Sequence, residues 1–496
     1  MTEAKVRTGL RTISSLLAIA IGLTAASTAN AQDKLPPPAV SAVTPDGVKV
    51  FTADDFARFA PRTAYDMLSQ VPGFAIRTAD TARGLGQASE NVLVNGQRVI
   101  DKAGGATALL QKVSASDVIR IEVKEAASLG IAGLTGQIAD VILKADRKGA
   151  GNFSWAPQWR AHFAKPRWLK GSISYSGSAG DLGYTLSLED KPGRGALGGD
   201  DYRILSPTGA LVERRDQVLW NSYDDAKLSA ILKYGDKGPV QANLTLDYDP
   251  YWSRGNNFQR RVRVDGNDSD WNNHSHGFGF QYDISGDVSV PLGGGRLKFI
   301  GLRHFQHDPA LVDQLTVFDS GAPSEGIRYG QDQRISETVG RLEYRWKGGP
   351  NDWTLSLERA RNLLAQVSTL AGLQPDGRYV DLPYPQGTGT VVETRYEGLA
   401  SLSRALSSKL DVQLAGGAEY SQLGEVATGN KPRSFFRPKG SASFAWRPAS
   451  GWDASLKIER RVGQISFSDF LANQDLTNDR VNEANPDLVL PPRAGK

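Results

Sequence analysis

From residue 151 onward the chain alternates apolar and polar residues with a period of two. Leu182, Tyr184, Leu186 and Leu188 alternate with Gly183, Thr185, Ser187 and Glu189. Val240, Ala242, Leu244, Leu246 and Tyr248 alternate with Gln241, Asn243, Thr245 and Asp247, and Leu410, Val412 and Leu414 with Asp411 and Gln413. Successive side chains of a strand point to opposite faces, so this pattern predicts strands with one apolar and one polar face. Residues 48–148 read differently. Three β-rich runs, Asn91-Val92-Leu93-Val94-Asn95-Gly96, Val118-Ile119-Arg120-Ile121-Glu122-Val123 and Gly136-Gln137-Ile138-Ala139-Asp140-Val141-Ile142-Leu143, are interspersed with helical patches. Asp55 and Asp66 each follow a Thr (Thr52, Thr63) by three residues, which predicts two capped helix starts, separated at Pro61 and stopped by Pro72-Gly73. A further helix is expected over 106–113. Asn95-Gly96 supplies the positive φ angles of a type I′ turn. The predicted fold is a small mixed α/β domain followed by an antiparallel β domain.

Within the first domain Phe56, Phe59, Leu68 and Phe74 are expected in the core rather than in a ligand cage. On the run at 118–123, strict alternation places Val118, Arg120 and Glu122 on one face and Ile119, Ile121 and Val123 on the other.

A soluble sandwich also alternates, so the connections choose between architectures. Short ones at 178–181, 235–238, 291–295, 347–351, 407–408 and 448–451 are interleaved with polar excursions over 191–223, 249–276, 306–336, 362–394 and 422–436. Short turns on one side and long loops on the other characterise outer-membrane barrels. Tyr234, the pair Trp346 and Trp353, and the pair Trp446 and Trp452 flank short turns, where an interfacial aromatic girdle belongs. Segments of about 10 residues give roughly 13 strands over 149–496.

Composition narrows the classes. At 496 residues the chain is long enough for at least two domains. A net charge of +4 without a dense Lys/Arg run argues against a nucleic-acid partner, and the absence of cysteine excludes disulfides and thiolate chemistry. Lys5, Arg7 and Arg11 precede an apolar run at 16–23 and the small-residue pattern Ala29-Asn30-Ala31, predicting a signal peptide over 1–31 cleaved between Ala31 and Gln32. A helical anchor needs about 20 apolar residues, more than this run offers. Residues 32–47, with Pro36-Pro37-Pro38, read as a tether.

Arg83-Gly84-Leu85-Gly86, the Asn91…Asn95-Gly96 hairpin, the Arg120-Ile121-Glu122-Val123 strand and the final strand opened by Gly136 follow one another in this order. In that order they resemble the plug domain of TonB-dependent outer-membrane receptors. The chain departs from the family at Glu125-Ala126, where Gly-Pro is usual, and at Gln137 and Asp140, where Gly and Asn are commoner. The resemblance implies a plug at 48–148 inside a transmembrane β-barrel in the outer membrane of a Gram-negative cell, with plug and tether facing the periplasm. Arg83, Gly84, Asn91, Asn95, Gly96, Arg120, Glu122 and Gly136 then form the structural and gating signature, with Arg83 and Arg120 expected to pair with carboxylates of the barrel wall. It also implies the TonB energising complex as partner, pairing as an added strand near 42–50. The resembled receptors close with about 22 strands. The barrel is therefore expected to be incomplete at its C-terminal end, with a smaller closed barrel as the alternative, and 463–496 is expected to be one more polar loop.

No catalytic constellation stands out. The five histidines, His162, His274, His276, His304 and His307, lack metal-ligand spacing, and Gly193-Arg194-Gly195 and Gly293-Gly294-Gly295 lack the strand-to-helix context of a phosphate cradle. No enzyme, cofactor or metal is expected. The expected function is active uptake of a small extracellular ligand by a monomer embedded in outer-membrane lipid; siderophore, cobalamin, carbohydrate and peptide classes stay open. Arg83, together with Trp252 and Arg254 beside the cationic run Arg260-Arg261-Val262-Arg263, are the ligand-binding candidates, combining charge and stacking. The competing readings are a non-transporting binding protein or truncated remnant, and a passive porin.

Overall fold

The computed structural model describes residues 38–482 except 39, 45–46, 78–84, 86–89, 100–103, 130, 132–133, 135, 145–148, 163, 236–237, 385–386, 427–431, 450–451, 453, 461–462, 464–465 and 477–479. Ala31, Gln32, Arg83 and Gly84 lie outside the described residues, as do the expected signal peptide and most of the expected tether.

The first domain is a five-stranded sheet of β1 (Ala42–Val43), β2 (Lys49–Thr52), β3 (Val92–Val94), β4 (Val118–Glu125) and β5 (Gln137–Leu143), in the order β1-β2-β4-β5-β3. The sheet thus begins at Ala42, inside the stretch read as tether. Only β3 and β5 run parallel. A 3-10 turn (Ala53–Phe59) and helices α1 (Ala64–Ser69) and α2 (Gly105–Lys112) cover the sheet. Thr63 starts α1 reciprocally: Asp66 N donates to Thr63 Oγ1 (3.2 Å) and Thr63 N to Asp66 Oδ2 (3.0 Å). The element after Thr52 ends at Ala60, in the left-handed region at φ 46°, just ahead of Pro61. Phe51, Phe56, Met67, Leu68, Leu110 and Ile121 close the core, while Phe59 is only half-buried.

Strict alternation along β4 fails at its start. A register shift between Val118 and Arg120 inserts one extra residue, so Val118 joins Ile121 and Val123 in the core and Ile119 is exposed. A bulge changes facing without changing composition.

The rest of the chain builds one antiparallel wall. Its strands are β6 (Ala150–Trp155), β7 (Gly171–Ala179), β8 (Leu182–Asp190), β9 (Gly193–Leu205), β10 (Leu211–Asp225), β11 (Lys227–Tyr234), β12 (Gln241–Arg263) and β13 (Ser269–Leu292). They continue as β14 (Gly295–Phe318), β15 (Glu325–Gly348), β16 (Asn351–Leu373), β17 (Tyr379–Leu382), β18 (Gly389–Ser407), β19 (Leu410–Glu425), β20 (Arg433–Trp446) and β21 (Ala454–Arg460). These make a 16-stranded sheet, whose path of neighbours from β21 to β6 passes through 13 of them. The remaining three are β17 and the pair β9 and β10, which continue β8 and β11 past breaks at Lys191-Pro192 and Ala226. Among the described residues the edges β6 and β21 do not pair, so the sheet is open.

Burial separates barrel from sandwich. In a sandwich the apolar face is covered; here it is the exposed one. Leu244, Leu246 and Tyr248 are exposed while Thr245, Asp247 and Asp249 are buried, and Leu355 and Leu357 are exposed while Thr354, Glu358 and Asn362 are buried. An apolar outside and a polar inside is the arrangement of a wall solvated by lipid. Trp346 and Trp353 stack at 6.1 Å beside their short turn, and Trp446 and Trp452 are exposed next to theirs.

The polar excursions are not loops. Most of their residues continue the strands, so that β12 to β16 reach 23 or 24 residues and their outer connections shrink to 264–268, 319–324 and 374–378. Beyond the apolar band both faces are polar, so alternation vanishes while the backbone ladder continues. Nor is the stretch after β21 simply polar surface: Phe467, Phe470 and Leu471 pack on the inward-facing Leu364, Val391 and Leu423.

Candidate functional site

The mixed domain sits inside the curve of the wall. Ser174 Oγ on β7 donates to the Lys112 carbonyl (3.2 Å), Lys112 Nζ donates to Ser229 Oγ on β11 (2.8 Å), and Ser176 Oγ on β7 donates to Asp117 (3.4 Å). Gln97 and Gln241 are joined through their side-chain amides at 2.9 Å, and Asn243 Nδ2 donates to Gln97 Oε1 at 2.9 Å. From the other end of the arc Gln413 Nε2 on β19 donates to the Ile131 carbonyl (3.0 Å). The wall therefore holds the domain from both ends of the sheet path.

Three of the expected signature residues tie the domain together. Asn91 is buried; its Oδ1 accepts from Arg77 N (2.7 Å) and its Nδ2 donates to the Ala75 (2.9 Å) and Gln137 (3.2 Å) carbonyls. One side chain thus spans an irregular segment, β3 and β5. Asn91→Ala orphans these buried groups, and a loss of about 1–3 kcal/mol in chemical unfolding of the full chain is expected. Asn95 (φ 52°) and Gly96 (φ 74°) form the turn after β3. Asn95 Oδ1 accepts from Leu143 N (2.8 Å), and Gly96 N donates to Asp140 Oδ1 (2.8 Å). Gly136, also in the left-handed region at φ 66°, opens β5.

Arg120 was expected to reach the wall. It pairs instead with Glu122 on its own strand (2.6 Å); Lys124 bridges Glu122 (3.0 Å) and Asp140 (3.2 Å). Residues two apart on a strand share a face, so these charges satisfy one another within the domain. Burial raises the Glu122 carboxyl, but hydrogen bonds from Lys124 and Arg120 outweigh it and hold it below the ordinary glutamate range. A depressed folded-state pKa stabilises above the unfolded value and is lost as pH falls through the folded one. Acid titration is therefore expected to weaken the domain below about pH 4, with Glu122→Gln flattening that slope in pH-dependent unfolding.

Arg98 faces the wall's charged interior. Burial pushes its guanidinium down to about 10, with Arg345 and Arg341 pushing the same way against the pull of Glu343 and Glu90. Glu90 receives the start of α2: its Oε1 accepts from Thr107 N at 3.3 Å, and at Gly105 (φ 60°) a Cβ would lie 2.6 Å from Glu90 Oε2. The left-handed backbone there favours glycine, and any larger residue would push the Glu90 carboxylate aside. On the wall Glu358 accepts from Arg341 (Nε, 2.9 Å) and Arg395 (Nη2, 2.7 Å), and Lys439 bridges Glu397 and Glu419. This inward network across β15 to β20 was not expected from sequence, though the parity set by Leu355 and Leu357 was sufficient to face Glu358 inward.

Two of the ligand candidates are turned the other way. Trp252 and Arg254 are on β12, not on a loop, and share the outward face of Leu244, Leu246 and Tyr248; both are exposed. No register shift on β12 reverses that parity. Inward stand Tyr251, stacked on Tyr223 at 5.8 Å, and Arg261, whose guanidinium lies 4.7 Å from the ring centre of the buried Trp271. Counting by twos from Tyr248 was the signal that separates these sets.

A mixed domain seated in the curve of an antiparallel wall, oily outside and polar inside, has the arrangement of a plug against part of a barrel wall. Residues 42–136 match the family model of the TonB-dependent Receptor Plug Domain, so the N-terminal domain is a plug of that family, and the large antiparallel sheet that follows fits a barrel. No match was found among curated proteins. Among solved structures, the siderophore receptor PiuA from Acinetobacter baumannii is 9% identical over 84% of this chain and 64% of its own, with a TM-score of 0.36. BauA, the ferric preacinetobactin receptor of the same organism, is 9% identical over 84% and 63%, with a TM-score of 0.33. The ferric yersiniabactin uptake receptor FyuA from Yersinia pestis is 10% identical over 83% and 78%, with a TM-score of 0.26. The chain spans less than two thirds of the length of the first two.

Proposed function

We propose that the chain serves TonB-dependent uptake across the outer membrane, as a receptor and not an enzyme, binding a small extracellular ligand on the outer side of the plug. The observation that carries this reading is the plug's attachment to both ends of the wall. A packed domain so held does not leave its seat unaided, and an external pull is what the TonB complex would supply. The edge strand β1 (Ala42–Val43) pairs only with β2 among the described residues, which leaves its outer backbone edge for strand addition. Ligand contact would fall to inward groups such as Tyr223, Tyr251, Arg261 and Trp271, with Arg83 retained as a plug candidate.

Because the chain has no cysteine, one introduced thiol reports on plug movement without knowledge of the ligand. Gln97→Cys, at the plug–wall contact, is expected to react with a small maleimide several times faster in cells with TonB than in cells lacking it. Equal labelling in both would leave a non-transporting binding protein as the better account.

A further inference from the structure

Three arginines stand on the outer, apolar face of the wall, with no carboxylate paired to them among the described residues. Ladder register sets Arg303 opposite Thr338 and Thr338 opposite Arg361, with Arg359 two residues before Arg361 on the same face. Parity fixes their direction: Leu302, Glu358, Ala360 and Asn362 are buried, whereas Phe299, Leu355 and Leu357 are exposed. Arg303 Nη1 donates to Thr338 Oγ1 (2.8 Å), and the Arg359 guanidinium lies 5.9 Å from the Tyr396 ring centre. Among the described residues none of the three forms an ion pair; Asp332, further along this face, is engaged by His307 and Arg334.

The surroundings of this cluster are shaped for a chain of methylenes. Ile284, in register with Arg303, also lines an apolar groove of about 660 Å³ with Leu186, Leu246, Tyr248 and Tyr282. Level with Arg359, Gly340, Gly301 and Gly286 occupy successive strands, and at Gly340 a Cβ would meet nothing within 4 Å. An arginine on the lipid face costs from about 0–1 kcal/mol near the interface to about 2–4 at the midplane, and three like charges together add repulsion. An anionic headgroup removes both costs, and guanidinium matches phosphate oxygens in a bidentate fork.

We propose that Arg303, Arg359 and Arg361 form an outward-facing site for the phosphate of a membrane lipid, whose acyl chain lies in the neighbouring apolar groove. The site rests on the reading of the wall as membrane-embedded. The test is native mass spectrometry of the full chain in detergent micelles with added lipid A, a bis-phosphorylated glycolipid, and with its dephosphorylated form. The native chain is expected to retain lipid A but not the dephosphorylated lipid, with roughly tenfold weaker retention for each arginine replaced in the series Arg303→Gln, Arg359→Gln, Arg361→Gln. Equal retention by the native chain and the triple variant, or complete displacement by inorganic phosphate, would overturn the lipid site. Insertion into phosphatidylcholine vesicles is scored in parallel. Failure of the native chain to insert overturns the membrane reading and the site with it, whereas insertion without phosphate selectivity overturns the site alone.

Discussion

Glu358→Ala lowers the unfolding free energy of the full chain by about 3–5 kcal/mol, the cost of stranding buried charge. Glu358 is the shared acceptor of Arg341 and Arg395, and all three side chains are at least nine-tenths buried on the inner face of the wall. Removing the carboxylate leaves two guanidinium groups facing each other where water has little access. Glu343, 3.6 Å from Arg341, compensates only in part. Glu358→Gln keeps an acceptor but not the charge, and is expected to fall between the two. The measurement is urea unfolding followed by tryptophan fluorescence in micelles. A loss under about 1 kcal/mol, as for a solvated surface pair, would show that the interior is wet enough to screen these groups.

Leu357→Arg separates the membrane wall from a water-soluble sheet. Leu357 is 57% exposed and lies between Leu355 and Arg359 on the outward face of β16. In water, replacing an exposed leucine by arginine changes stability by no more than about 0.5 kcal/mol. Deep in a bilayer the same change costs about 2–4 kcal/mol. Folding into phosphatidylcholine vesicles, read by the slower gel migration of unfolded chains after heating, is expected to show the larger loss. The inward change Ser356→Ala on the same strand serves as the control, because Ser356 is half-buried and shares the parity of the inward-facing Thr354 and Glu358. An unchanged folding yield for Leu357→Arg would mean that the exposed apolar face meets water.

The period-two pattern of 182–189 and 240–248, the caps at Thr52 and Thr63, and the positive-φ pair Asn95-Gly96 are local properties, and local chemistry was enough to read them. A side chain's parity along a strand is likewise a matter of counting. What counting does not supply is the place where a strand stops. Beyond the apolar band of β12 to β16 both faces are polar, so strand and loop look alike in sequence, and only the ladder of backbone hydrogen bonds between partners distant in the chain separates them. The same holds for pairing partners. Arg120 satisfies its charge on Glu122 within the plug, while Glu358 collects arginines from two other strands, because a charge settles on whichever opposite charge the register brings within reach. Facing at Val118 was lost to one inserted residue, whose presence depends on how β4 meets β5. The chain alone therefore determined the kinds of element and the oily and polar sides of each, whereas register, strand length and the seating of the plug against the wall were decided by contacts between segments far apart in sequence.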